Sequence, residues 1–178
     1  MTEALFLGML VLTCLFARHE RWASVRRAGV AAGLSAGLGL LVAKLITVIY
    51  DRPRPFVAHP GSVHLFASHA RDASFPSDHA TAAFAVAVAI LLRSKLRWGA
   101  VTLVLAVILL VGRVALGYHY PTDVLGGAAI GTLAALSLSA PPIRSAIDRL
   151  SDTLGGSWDR ASDVALGHVL RRAVGRQP

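Results

Sequence analysis

Long apolar runs dominate the chain, and they leave it few ways to fold. Five segments can be marked, at about Ala4–Ala17, Ala28–Tyr50, Phe75–Leu92, Trp98–Gly117 and Val124–Ile143. A helix that crosses a bilayer needs about 20 apolar residues, with a working range of roughly 17–25. The second and fifth segments meet that length. The third and fourth meet it once polar residues near one end are accepted. The first is short, so it is tilted, extended by Met1–Glu3, or an incomplete span. Composition agrees: 54% of the 178 residues are hydrophobic and only 16% are charged, where a soluble domain carries about 25% charged residues.

The net charge of +8 does not point to nucleic acid. Its basic residues sit between the apolar runs, not in one stripe along a groove-binding surface. Cys14 is the only cysteine and lies in an apolar run, so neither an internal disulfide nor a cysteine metal site can be built. No basic residues precede the first apolar run, which argues against a signal peptide.

The loops orient the spans. Arg18, Arg21, Arg26 and Arg27 separate the first two segments, and Arg93, Lys95 and Arg97 separate the third and fourth. Arg144, Arg149, Arg160, Arg171, Arg172 and Arg176 follow the fifth. In a five-span chain all of these share one side, which the positive-inside rule makes cytoplasmic. The other side holds Arg52, Arg54, Arg71 and Arg113, with Lys44 inside the second segment. Beyond Pro141, Ile143, Ile147, Leu150 and Leu154 recur at helical spacing among Arg and Asp. This predicts an amphipathic cytoplasmic helix, broken at Gly155-Gly156. Residues 1–178 are expected to form one domain, with a bundle over 1–143 and the amphipathic tail over 144–178. Gly29, Gly33 and Gly37 in the second segment, and Gly127 and Gly131 in the fifth, recur every fourth residue. That spacing lets helices approach closely in lipid.

Three motifs converge on the outward side. They are Asp51-Arg52-Pro53-Arg54-Pro55-Phe56, Phe75-Pro76-Ser77-Asp78-His79, and Gly112-Arg113 followed by His119 and Asp123. Arginine forks bind phosphate oxygens bidentately and keep their charge. Pro76-Ser77 reads as a helix start whose N–H groups can hold an anion. His79 and His119 offer a nucleophile and an acid near neutral pH. Asp123 can take a hydrogen bond from one ring nitrogen of His119 and fix its tautomer. Charges at a membrane edge are costly and default to function. His59, His64 and His69 share the outward loop, but no acid or cysteine pattern supports metal there.

The motifs resemble those of the type 2 phosphatidic acid phosphatase superfamily, over about Ala43 to Gly127. Arg52-Pro53-Arg54-Pro55-Phe56-Val57-Ala58-His59 and Ala73-Ser74-Phe75-Pro76-Ser77-Asp78-His79-Ala80-Thr81 look most like its BcrC-type undecaprenyl-diphosphate phosphatases. The resemblance implies an all-α integral membrane bundle of five or six transmembrane helices. It implies that His119 attacks phosphorus and forms a phosphohistidine, that Asp123 orients it, and that His79 protonates the leaving oxygen and then activates water. Substrate binding falls to Arg54, Arg52, Ser77, Asp78, Arg113 and Lys44. No cofactor and no metal are implied.

The implied substrate is a membrane lipid, a polyprenyl diphosphate, cleaved on the extracytoplasmic side of a bacterial-type plasma membrane. The monophosphate carrier would return to cell-wall synthesis, a role tied to bacitracin resistance. Alternatives are a phosphatase for phosphatidylglycerol phosphate, phosphatidate or decaprenylphosphoryl pentose phosphate, or a non-catalytic lipid-binding or flipping protein. Three departures stand out. Lys44 lies ten residues before Arg54, about one helical turn deeper than the family lysine. Gly112 replaces the usual serine. The N-terminus is short against members with six membrane segments.

Overall fold

The structure, a computed structural model, describes residues 23–63, 70–94 and 96–156. The first apolar segment with Cys14, the loop residues His64 and His69, and the chain beyond residue 156 lie outside the described residues. Within them the fold is helical, and no strand is present. The elements are α1 (Ala23–Ile49), a short α2 (Pro55–Ala58), α3 (Asp78–Arg93), α4 (Leu96–Ala115) and α5 (Pro121–Leu138). Residues 141–156 form a further helix, α6.

Three of these helices, α1, α4 and α5, are long and apolar enough to cross a membrane. The expected third span is shorter than the sequence suggested. Ser77 opens α3 and Ser94 closes it, leaving 16 residues. That is about 24 Å of helix, against a hydrocarbon core of about 30 Å. Helix α3 is nonetheless central, packing on α1, α4 and α5.

The packing is built from small side chains. Ala80, Leu110, Val124 and Ala128 form one buried cluster, and Ala32, Ala89 and Ala135 another. A methyl group added at Gly131 would strike the Thr81 carbonyl of α3, and one at Gly127 would lie 2.5 Å from the Ser77 carbonyl. These two glycines let α5 run against the α3 backbone, as their spacing predicted. In α1 Gly29 is buried, as expected, but the spacing does not hold at Gly37. Gly37 faces open space, whereas Gly39 is buried against Thr81 and Gly131. Val101, Val104, Leu105, Ile108 and Val111 leave one side of α4 exposed and apolar, as a lipid-facing surface requires.

Because successive spans alternate in direction, the end of α1, the start of α3, the end of α4 and the start of α5 meet at one end of the bundle. The opposite end holds Arg26, Arg27 and Arg93. There α6 docks through ion pairs. Arg27 Nη2 reaches Asp152 Oδ2 at 2.5 Å, Arg26 Nη2 reaches Asp152 Oδ1 at 3.5 Å, and Arg93 pairs with Asp148. The Arg27 hydrogen bond, foremost, holds the Asp152 carboxyl below its ordinary value. Ile147 and Ser151 are buried beside these acids, while Ile143, Leu150 and Leu154 stay exposed. Gly155 and Gly156, where a break was predicted, are both helical, and they are the last residues described. Gly155 sits directly against the Arg26 guanidinium, a contact that the absence of a side chain permits.

Candidate functional site

The turn that delivers His119 is set by a helix ending. Tyr118 N–H donates to the Arg113 carbonyl at 3.2 Å and Gly117 N–H to Val114 at 2.9 Å. Gly117 has φ +73°. This is the double-bonded helix stop that favours glycine in the left-handed region. It reverses the chain within three residues and points Tyr118 and His119 inward. Both are buried. Pro121 then starts α5 at a position where proline loses no helical bond. Asp123, on the first turn, accepts from Tyr120 N–H at 2.9 Å.

The arginine motif approaches from the other side. Arg54 precedes α2, whose first residue is Pro55. Its guanidinium is buried: Nη1 donates to the Tyr118 carbonyl at 3.0 Å and meets His119 Nε2 at 3.1 Å, while Nε donates to Asp72 at 2.9 Å. The other ring nitrogen, His119 Nδ1, lies 2.9 Å from the Ser74 carbonyl. A carbonyl can only accept, so this contact assigns the proton to Nδ1 and the lone pair to Nε2. His119 thus presents a basic nitrogen beside a fixed positive charge.

Asp123 is not the direct partner of His119. Its Oδ2 is 3.8 Å from Nδ1, beyond hydrogen-bond reach. That oxygen instead accepts from Ser74 Oγ at 2.5 Å and from Tyr120 N–H. Oδ1 accepts from Arg52 Nη1 at 2.8 Å. Arg52 also donates to Thr122 at 2.8 Å and lies 3.9 Å over the Tyr120 ring. Arg52 therefore serves as a clamp on Asp123, and it is not on the wall of the cleft.

A cleft of about 70 Å³ opens beside His119. One water needs about 10–15 Å³ on the same measure, so a phosphoryl group fits. Its walls are Lys44 and Thr47 of α1, Arg54, Asp72, Ala73, Pro76, Asp78, His79 and His119. Lys44, one turn too deep by sequence register, reaches the cleft nonetheless. Asp78 and His79 line it from the start of α3. Ser77 and Arg113 are not on its walls. Ser77 is fully buried, its N–H on the Asp123 carbonyl at 3.1 Å. Arg113 lies 4.8 Å from the Tyr118 ring centre. Among the described residues no cluster of three His, Cys, Asp or Glu could hold a metal ion. Two residues outside the predicted site set, Ser74 and Asp72, bond to site side chains. Ser74 stood inside a quoted motif, but nothing in a sequence shows where a backbone carbonyl points.

An α-helical bundle with a buried His, Arg and Asp at one end defines a class, and comparison supplies it. The pattern of the PAP2 superfamily matches residues 28–141, and the chain belongs to that superfamily. It is similar to "Undecaprenyl-diphosphatase BcrC" of Bacillus subtilis, at 44% identity over 57% of this chain and 51% of that one. It is also similar to "Putative undecaprenyl-diphosphatase YbjG" of Escherichia coli, at 38% identity over 63% of this chain and 56% of that one. The chain thus spans about half the length of these curated relatives. Among solved structures, Aquifex aeolicus LpxE aligns with a TM-score of 0.60 at 25% identity, over 74% of this chain and 73% of that one.

Proposed function

We propose that the chain is a membrane lipid phosphatase that hydrolyses polyprenyl diphosphate, of the undecaprenyl type, to the monophosphate and inorganic phosphate. The observation that carries this reading is the pairing at His119: Nδ1 on the Ser74 carbonyl, Nε2 on Arg54, beside the cleft. Likeness to two proteins named undecaprenyl-diphosphatase supports the substrate class.

In this reading His119 Nε2 attacks the terminal phosphorus. The bond to the bridging oxygen breaks, and His79 gives that oxygen a proton. Arg54 turns from Nε2 to the phosphoryl oxygens, joined by Lys44 from the α1 wall of the cleft. His79 then takes a proton from water, the hydroxide attacks phosphorus, and the P–N bond breaks with its electron pair returning to Nε2. Phosphoryl transfer asks for positioning and neutralisation of the equatorial oxygens, and fixed cations supply both. The lipid tail stays in the bilayer. The single domain sits as a multi-pass protein in the plasma membrane, with the basic end cytoplasmic and the site outward.

The test is phosphate release by purified protein from a panel of lipids with excess chelator present. The panel holds undecaprenyl diphosphate, phosphatidate, phosphatidylglycerol phosphate and a decaprenylphosphoryl pentose phosphate. Turnover of the diphosphate at the highest kcat/KM, lost in His119→Ala, is the expected result. Wild-type turnover in His119→Ala overturns the mechanism, and preference for another lipid overturns the substrate.

A further inference from the structure

We propose that Ser74 is the positioning residue through which Asp123 acts on His119, an inference that rests on the phosphatase reading for its catalytic consequence. The two residues expected to form a dyad are 3.8 Å apart at their nearest polar atoms. Ser74 touches both. Its Oγ donates to Asp123 Oδ2 at 2.5 Å, and its carbonyl accepts from His119 Nδ1 at 2.9 Å. Ser74 is fully buried, as is Asp123, so water does not compete for either bond. Its own N–H donates to the Arg52 carbonyl at 2.7 Å, and Arg52 returns to Asp123 through its guanidinium. The side chain and amide of Ser74 thus close a ring with Asp123 and Arg52, and its carbonyl extends that ring to His119.

The ring gives Ser74 a defined task. A backbone carbonyl aims where its peptide plane is held, and the hydroxyl anchors that plane to a carboxylate that is itself clamped by Arg52 and by Tyr120 N–H. With the plane fixed, Nδ1–H keeps its acceptor and Nε2 keeps its lone pair toward the cleft. Without the hydroxyl the carbonyl remains, but its direction is free to drift. Loss of orientation at a reacting atom by about 1 Å can cost about 100-fold in rate. The carboxylate still compensates the positive imidazole that forms on phosphorylation, from 3.8 Å. Ser74 sets geometry, and Asp123 adds charge.

The experiment compares wild type, Ser74→Ala, Asp123→Asn and the double variant on one lipid diphosphate. Ser74→Ala should lower kcat by roughly 10–100-fold with KM within about two-fold of wild type. The double variant should be no slower than Asp123→Asn alone, because both act on one unit. Multiplying losses, or wild-type kcat in Ser74→Ala, overturn the proposal. If Ser74→Ala does not fold, Ser74→Thr and Ser74→Val, equal in bulk, isolate the hydroxyl: Thr should exceed Val by about ten-fold, and equal rates overturn the proposal. A readout without turnover separates this inference from the phosphatase reading. In protein labelled with ¹⁵N-histidine, the His119 signal, identified by its loss in His119→Gln, should show one Nδ1–H tautomer in wild type and a mixture in Ser74→Ala. An unchanged signal overturns the role of Ser74. A wild type that turns over no lipid while the signal shifts overturns the phosphatase reading alone.

Discussion

Arg and Asp meet at both ends of the bundle, in different company. At the cleft end Asp123 is 0% exposed and Arg52 29%, and each carboxylate oxygen has its own donor. At the opposite end Arg27 and Asp152 are 43% and 40% exposed, and their pairing fastens α6 to α1. The same charges hold the proposed reacting groups in one place and dock a helix in the other. Burial separates Arg52–Asp123 from Arg27–Asp152, whereas Arg93–Asp148, which also docks α6, is about as buried as the first. A buried pair loses several kcal/mol when one partner is removed, because the survivor is left uncompensated. An exposed pair is worth about 0–1 kcal/mol.

Breaking the cleft end should cost most. His119→Ala removes the proposed nucleophile and should lower kcat at least about 10³-fold with little change in thermal stability; a loss below ten-fold would make the two ends functionally alike. Asp123→Asn comes next, lowering kcat and also stability by about 3 kcal/mol as Arg52 loses its buried partner, read from a detergent melt. Gly131→Ala forces a methyl against the Thr81 carbonyl and should cost about 1–3 kcal/mol. The smallest effect belongs to Asp152→Asn, under about 1 kcal/mol with turnover unchanged.

The far end also has a pH signature. The Asp152 carboxyl titrates below its ordinary value, held down first by its bond to Arg27. Its contribution is therefore fully present above the unfolded value, about 3.9, and fades as pH falls through the lower folded value. Hydrogen-exchange protection over residues 141–156, corrected for the intrinsic rate at each pH, should be flat from pH 5 to 8 and fall in strong acid. An onset near pH 6 would mean that some other group holds α6.

Much of this contrast was legible in the sequence. Apolar length located α1, α4 and α5 to within about five residues, since span length is a property of composition. Arg54, His79 and His119 were legible because charge at a membrane edge is rare and chemically specific. Ser74 was not, because its part is played by a backbone carbonyl and by a hydroxyl that any loop serine carries. The division of labour between Arg52 and Arg54 was also hidden. They are two residues apart in one motif, and only the fold shows one on Asp123 and the other on His119. Lys44 failed a register count that assumes a straight helix and a short side chain, and it reaches the cleft regardless. Gly155 gives Arg26 room, a tertiary contact that local propensity cannot anticipate.

Gly127 lies one turn after Asp123 and rests on the carbonyl of Ser77, two residues before His79. The seam where α5 meets α3 is therefore also the joint that sets the spacing between the proposed nucleophile and the proposed acid. A variant that widens this seam by a fraction of an ångström would behave as an alignment defect long before it behaved as an unfolded protein. Its melting curve would look ordinary while its turnover fell, and a second-site change that shrinks a neighbour across the seam would restore the rate without touching any charged residue.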